Sequence, residues 1–161
     1  MVEIFIDGAC SGNPGLASVG VVIKKNNQII KEVAKLIGQA TNNIAEYTAF
    51  ITALETALEL KEDKVKVFTD SQLLYNQLRG TYQVKNDQLK SLWQQANVLG
   101  KKFKNIEVVN VPREENKEAD KLAAGLLQKT LKEEQAKMVA PAASFLFRSK
   151  TAGEESPSSN G

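Results

Sequence analysis

Alternation at a period of two opens the chain: Val2-Glu3-Ile4-Phe5-Ile6 reads as a strand, Ser18 to Lys24 as a β-branched second strand, and Gln28 to Ile37 as a third. Asn26-Asn27 between the last two is a hairpin turn signal, so the three form an antiparallel meander. From Asn42 the period becomes helical, with Ile44, Tyr47, Phe50, Ile51, Leu54 and Leu58 on one stripe and Thr41 or Asn42 as the cap. Val65 to Thr69 alternates again. Two helices follow, Ser71 to Arg79 ended by Gly80 and Asp87 to Leu99 ended by Gly100, with Trp93 on the second one's core stripe. Ile106 to Val111 is the last strand, Pro112 stops it, and Asn116 caps a helix to about Lys137.

Four carboxylates stand at the joints of this pattern: Asp7, Glu46, Asp70 and Asp120. Asp7 ends the first apolar run and leads into Gly8-Ala9-Cys10-Ser11-Gly12-Asn13-Pro14-Gly15, a composition that reads as tight turns. Asp70 ends the fourth strand in the same way. A right-handed helical crossover from the meander makes the first strand a natural neighbour of the fourth, which sets Asp7 and Asp70 side by side at adjacent strand ends. Glu46 lies in the early turns of the first helix and Asp120 in the first turn of the last, where the helix dipole favours negative charge. A carboxylate at a strand end is costly to bury alone, so such a group calls for a cation.

Composition removes rival chemistries. The chain of 161 residues contains no histidine, which excludes histidine-based triads, a histidine general base and the usual zinc sites. The single cysteine, Cys10, forms no internal disulfide and fits a reducing, cytoplasmic setting. No apolar run is long enough to span a bilayer, and the first residues begin a strand rather than a leader. Net charge is only +2, but between Arg79 and Lys104 six basic residues stand against the one acid, Asp87. That surplus suits a polyanionic partner.

Four strings now carry a resemblance: Ile6-Asp7-Gly8-Ala9-Cys10-Ser11-Gly12-Asn13-Pro14-Gly15, Thr41-Asn42-Asn43-Ile44-Ala45-Glu46, Phe68-Thr69-Asp70-Ser71-Gln72 and Asn116-Lys117-Glu118-Ala119-Asp120-Lys121-Leu122-Ala123. In order and content they resemble the signature segments of type I ribonuclease H, from Met1 to about Gln128. The resemblance implies an α/β fold, a five-stranded mixed sheet of three antiparallel then two parallel strands flanked by helices. It also implies an endonuclease that hydrolyses the RNA strand of an RNA–DNA hybrid, leaving 5′-phosphate and 3′-hydroxyl ends. The four carboxylates would hold two Mg2+ ions, with Mn2+ as a substitute, roughly 3.5–4 Å apart across the scissile phosphate. Asp7 would bridge the two, with Glu46 and Asp70 on the ion beside the leaving group and Asp120 on the nucleophile's ion.

Substrate contacts follow from the same resemblance. The backbone of Gly8, Ala9 and Cys10 and the side chains of Glu46 and Gln72 would meet the RNA strand, where the 2′-hydroxyl tells RNA from DNA. Asn13, Asn42 and Asn43 would line the minor groove, and Thr41 with Asn13 would grip a DNA-strand phosphate. Two features depart from the family. The segment from Gly80 to Val84 is too short for the basic helical protrusion many members carry. The family's loop histidine is missing, with Arg113 in Pro112-Arg113-Glu114-Glu115 as the nearest substitute. The expected organisation is a catalytic domain over residues 1–137 and a tail over 138–161, in which Met138 to Phe147 would add an edge segment or pack on the domain and Gly153 to Gly161 would be disordered, in a monomer with no membrane partner. The alternatives are a related metal-dependent DNA nuclease and a non-catalytic hybrid-binding module.

Overall fold

A computed structural model describes residues 1–155, with side-chain placement to Met138. The chain divides into two compact units, Met1–Leu127 and Gln128–Gly161. In the first, β1 (Val2–Cys10), β2 (Gly15–Lys25) and β3 (Gln28–Ala40) form the antiparallel meander. Asn26 and Asn27 both adopt positive φ, the conformation that a two-residue hairpin turn requires. Helix α1 (Asn42–Glu59) crosses over to β4 (Lys64–Thr69), which lies parallel to β1, and β5 (Asn105–Asn110) lies parallel to β4. The sheet order is β3-β2-β1-β4-β5, and helices α2 (Gln72–Arg79) and α3 (Asp87–Gly100) fill the β4–β5 connection. This is the five-stranded mixed sheet that the periodicities and the four signature strings imply.

One sheet face is lined by Val2, Ile4, Ile6, Val19, Val21, Ile23, Val65 and Val67, all fully buried, and packs on Tyr47, Phe50 and Leu54 of α1. Trp93 packs against this core and donates its indole N–H to the Gln77 carbonyl, 3.2 Å, as its stripe position predicts. On the other face α4 (Lys117–Glu155) begins by resting Ala119 and Ala123, both fully buried, against β2. A Cβ at Gly20 would collide with the Ala119 carbonyl, and Ser18 Oγ donates to the Ala123 carbonyl at 2.5 Å. Glycine and serine at alternate β2 positions thus let the helix start lie close against the strand.

Two boundaries differ from the sequence reading. β1 continues through Gly8, Ala9 and Cys10, which read as turn residues, because each pairs with β2. Helix α4 passes Lys137 and runs to Glu155, so Met138 to Phe147 adds no edge strand. Its run of Lys, Glu, Gln, Ala and Leu favours helix, and Pro141 does not end it. Residues 156–161, within the stretch expected to be disordered, lie outside the described residues. Of the basic residues from Arg79 to Lys104, Lys85 precedes α3, Lys90 lies within it, and Lys101, Lys102 and Lys104 follow it, strung along a helix of fourteen residues that spans roughly 20 Å at 1.5 Å per residue.

Candidate active site

The site forms where the parallel pair ends. Phe5 and Phe68 are the last register partners of β1 and β4, and their rings stack with centroids 4.6 Å apart and planes 8° from parallel. Asp7 lies two residues further along β1, hence on the same face as the stacked rings, and Asp70 lies two residues past Phe68, directly after β4 ends. β1 continues beyond this point, paired only with β2, so Asp7 sits on an overhang of the sheet.

Glu46 reaches the same place from the fifth position of α1. Thr41, not Asn42, caps that helix: Thr41 Oγ1 accepts the Ile44 N–H at 3.3 Å. Glu46 Oε1 accepts the Gly8 N–H at 3.1 Å, across an approach that a Cβ on Gly8 would block, since it would fall 2.6 Å from the Ala45 carbonyl carbon. One carboxylate oxygen from each of Asp7, Glu46 and Asp70 lies within 4.8 Å of the others. Asp120, in the first turn of α4, lies outside this group of three but near enough for its charge to act on both Asp7 and Glu46.

Electrostatics mark this group as incomplete without positive charge. Asp7 is only 2% exposed, and burial, then the Glu46 charge, then the hydrogen bond with Asp120, push its pKa up to about 9. Glu46 rises to about 8 through burial and the Asp70 charge, countered by the Gly8 N–H and the Arg113 cation. Asp7 Oδ1 is buried with no hydrogen-bond partner. Hard oxygen donors, converging charge and an orphaned buried acceptor fit a divalent cation.

The remaining predicted residues ring this centre. Gly8, Ala9 and Cys10 are partly exposed on the overhang, and Cys10 Sγ donates to the Ala40 carbonyl at 3.5 Å. Asn13, Asn42 and Asn43 are exposed together, with the Asn42 N–H donating to Asn13 Oδ1 at 3.0 Å. Gln72 opens α2, and with Asp70, Asn110, Val111, Pro112 and Arg113 it lines a cleft of about 430 Å³. Arg113 is exposed at the start of a short 3-10 turn, and its charge is felt at Glu46.

Sequence reasoning missed Asn116. It read as a helix cap, yet its side chain caps nothing: it is 1% exposed and Nδ2 donates to the Ile6 carbonyl at 2.8 Å and to Asp70 Oδ2 at 3.2 Å. It also missed Gln77, a buried amide that accepts the Tyr47 hydroxyl at 2.6 Å and donates to the Gln83 carbonyl at 3.3 Å, tying α1 to the short loop after α2. The only signal available was an amide directly before a helix for Asn116 and an amide on a helix's inward side for Gln77.

Comparison with known proteins adds independent support. Residues 5–125 match the reverse transcriptase-like family model. Ribonuclease HI of Halobacterium salinarum is 40% identical over 123 residues, 76% of this chain and 62% of that protein. A bifunctional protein of Mycobacterium tuberculosis is 39% identical over 124 residues, and the match spans only 34% of its length. Among solved structures, RNase H1 from Halobacterium salinarum superposes with a TM-score of 0.78 at 39% identity, over 80% of this chain and 98% of that one. LC11-RNase H1, solved in complex with an RNA/DNA hybrid, gives a TM-score of 0.77 at 36% identity, over 81% and 99%.

Proposed function

The chain belongs to the ribonuclease H family, and from that premise we propose that it hydrolyses the RNA strand of RNA–DNA hybrids, leaving 5′-phosphate and 3′-hydroxyl ends. The observation that carries the proposal is the convergence of Asp7, Glu46 and Asp70 within 4.8 Å around a buried, unpartnered Asp7 oxygen. That arrangement suits holding divalent metal against a phosphodiester.

Asp7, Glu46, Asp70 and Asp120 are the residues that would hold the metal, Mg2+ by preference with Mn2+ as substitute. When bound, it supplies positive charge for the phosphoryl oxygens and lowers the pKa of water. The chain's own contribution is orientation. Asp7 and Asp70 are fixed by the β1–β4 pair, Glu46 by its hydrogen bond to Gly8, and Asp120 by the seating of α4 on β2. In the reaction a water oxygen bonds to phosphorus, the bond to the ribose 3′-oxygen breaks, and that oxygen takes up a proton. Discrimination for RNA is assigned to the overhang and its neighbours: the backbone of Gly8 to Cys10, with Glu46 and Gln72, on the 2′-hydroxyls, and Asn13, Asn42, Asn43 and Thr41 along the minor groove and the DNA strand. Asn13 and Thr41 also brace the start of α1, so their substrate role is combined with a structural one.

Arg113 is proposed to stand where the family has a histidine. It acts by charge on the departing phosphate and not as a base, since a guanidinium does not deprotonate near neutrality. We read the protein as a cytoplasmic monomer; among the described residues no helix is long and apolar enough to cross a membrane. The test is incubation with Mg2+ and end-labelled hybrid, duplex DNA and duplex RNA. Cleavage of the RNA strand of the hybrid alone is expected. Preferential cutting of duplex DNA would identify a DNA nuclease, and tight hybrid binding without cleavage a binding module.

A further inference from the structure

We propose that Asn116 is a positioning residue of this site, a buried amide that sets Asp70 against β1 and seats the helix bearing Asp120. The inference rests on the metal-dependent reading above and concerns how the carboxylates are held.

Three links leave this one residue. Nδ2 donates to the Ile6 carbonyl, one residue before Asp7, at 2.8 Å, and to Asp70 Oδ2 at 3.2 Å. The Asn116 backbone carbonyl accepts the Asp120 N–H at 3.2 Å. Asn116 therefore touches Asp70 directly and reaches Asp7 and Asp120 through the backbone of Ile6 and its own peptide group. A primary amide nitrogen carries two N–H donors in fixed planar geometry. Used together, they fix the separation of the two oxygens they hold, so Asp70 is tethered to an amide that the Ile6 carbonyl of β1 holds in place.

The energetics argue against a purely structural reason for the residue. A capping asparagine accepts N–H groups of the first helical turn through Oδ1. Here Oδ1 is buried and accepts nothing. An unsatisfied buried acceptor is unfavourable and persists where another demand holds the group in place. That demand is the pair of donors. Aspartate at this position would turn an acceptor on two acceptors and add charge to the cluster, leucine would leave the Ile6 carbonyl and Asp70 unpaired, and serine is too short to span both.

The experiment compares the full chain with Asn116→Ala and Asn116→Asp. Mn2+ binding is measured by proton relaxation without nucleic acid, alongside kcat and KM on the hybrid and unfolding in EDTA. Removing an outer partner of a metal-holding side chain typically weakens metal affinity or activity about 10–100-fold. Asn116→Ala is accordingly expected to weaken Mn2+ binding about tenfold and lower kcat by 10–100-fold, with KM for hybrid changed by less than about threefold. Asn116→Asp should lower kcat at least as much, despite matching the parent in shape.

A variant that unfolds at lower temperature in EDTA yet binds Mn2+ and turns over like the parent would overturn the proposal, leaving Asn116 as a brace. Should neither variant fold, the parent's Asn116 side-chain amide resonances must shift during a Mg2+ titration with the midpoint of metal binding. Resonances that stay still overturn the proposal equally. A parent that binds Mn2+ but does not cut hybrid would refute the proposed activity, while the Mn2+ affinities would still decide the role of Asn116.

Discussion

Replacing Asp7 by asparagine separates what the site does for catalysis from what it does to stability. With its pKa near 9, folded Asp7 carries a proton at pH 7, whereas in the unfolded chain it ionises near 3.8. Keeping that proton at pH 7 costs at most about 4 kcal/mol, at 1.36 kcal/mol per unit over the interval from 3.8 to 7. The ceiling does not depend on how far above 7 the folded value lies. Asparagine never ionises, so the cost vanishes. Allowing for relaxation around the site, we expect Asp7→Asn to gain about 2 kcal/mol in EDTA at pH 7, or roughly 4–8 °C in Tm for a chain of this length. A raised carboxylate pKa is most compatible with folding below the unfolded value and least above the folded one. The gap between variant and parent should therefore be small near pH 4, widen through neutrality and level off past about pH 9. Thermal melts in EDTA at several pH values, followed by circular dichroism, measure it. A variant less stable than the parent at pH 7, or a gap that ignores pH, would refute the argument. In Mg2+ the same variant should lose cleavage by roughly 10³-fold or more, beyond the effect of removing one neutral donor.

Four other outcomes follow from the same geometry. Mg2+ must displace protons from Asp7 and Glu46, whose values lie at about 9 and about 8, so the Mg2+ concentration giving half-maximal stabilisation should fall as pH rises from 6 to 9; a constant midpoint counts against the raised values. Ca2+ should support hybrid binding in a gel-shift assay without turnover, because its looser coordination does not hold water and leaving group in line, and rates matching those in Mg2+ would contradict this. Arg113→Ala should lower kcat about tenfold or less with KM nearly unchanged, since an exposed cation acts weakly across high dielectric, and a loss of several hundredfold would show a larger role. Gly8→Ala should destabilise the fold by about 1–3 kcal/mol in denaturant titrations by forcing α1 off β1, and a neutral effect would show that the helix can shift freely.

The parts of this architecture that periodicity controls were legible in the sequence. The meander, the crossover and the placing of Asp7 beside Asp70 follow from runs such as Val2 to Ile6 and Val65 to Thr69, where alternation alone decides which face is buried. The extension of β1 through Gly8 to Cys10 was not legible, because those residues have turn composition and their strand state comes from β2 across the ladder. Asn116 was opaque for a related reason. An asparagine before a helix has a local explanation as a cap, and only the tertiary approach of β1 and Asp70 shows that its amide is directed elsewhere. Arg113 could be singled out by position, but its influence on Glu46 arises from the folded path of the β5–α4 connection.

The overhang of β1 beyond the last β1–β4 register pair has a consequence for the protein's life among other chains. A strand that outruns its neighbour leaves peptide groups unpaired along one edge, and such edges invite a stray strand from another molecule. Ile6 and Gly8, two residues apart, direct their peptide groups to the same edge. Asn116 occupies the first by donating to the Ile6 carbonyl, and Glu46 the second by accepting the Gly8 N–H, so both partners belong to the active site itself. The groups that hold the carboxylates in place thus also close the notch against strand addition. Variants that dismantle either contact should expose an aggregation-prone edge as well as a disordered site.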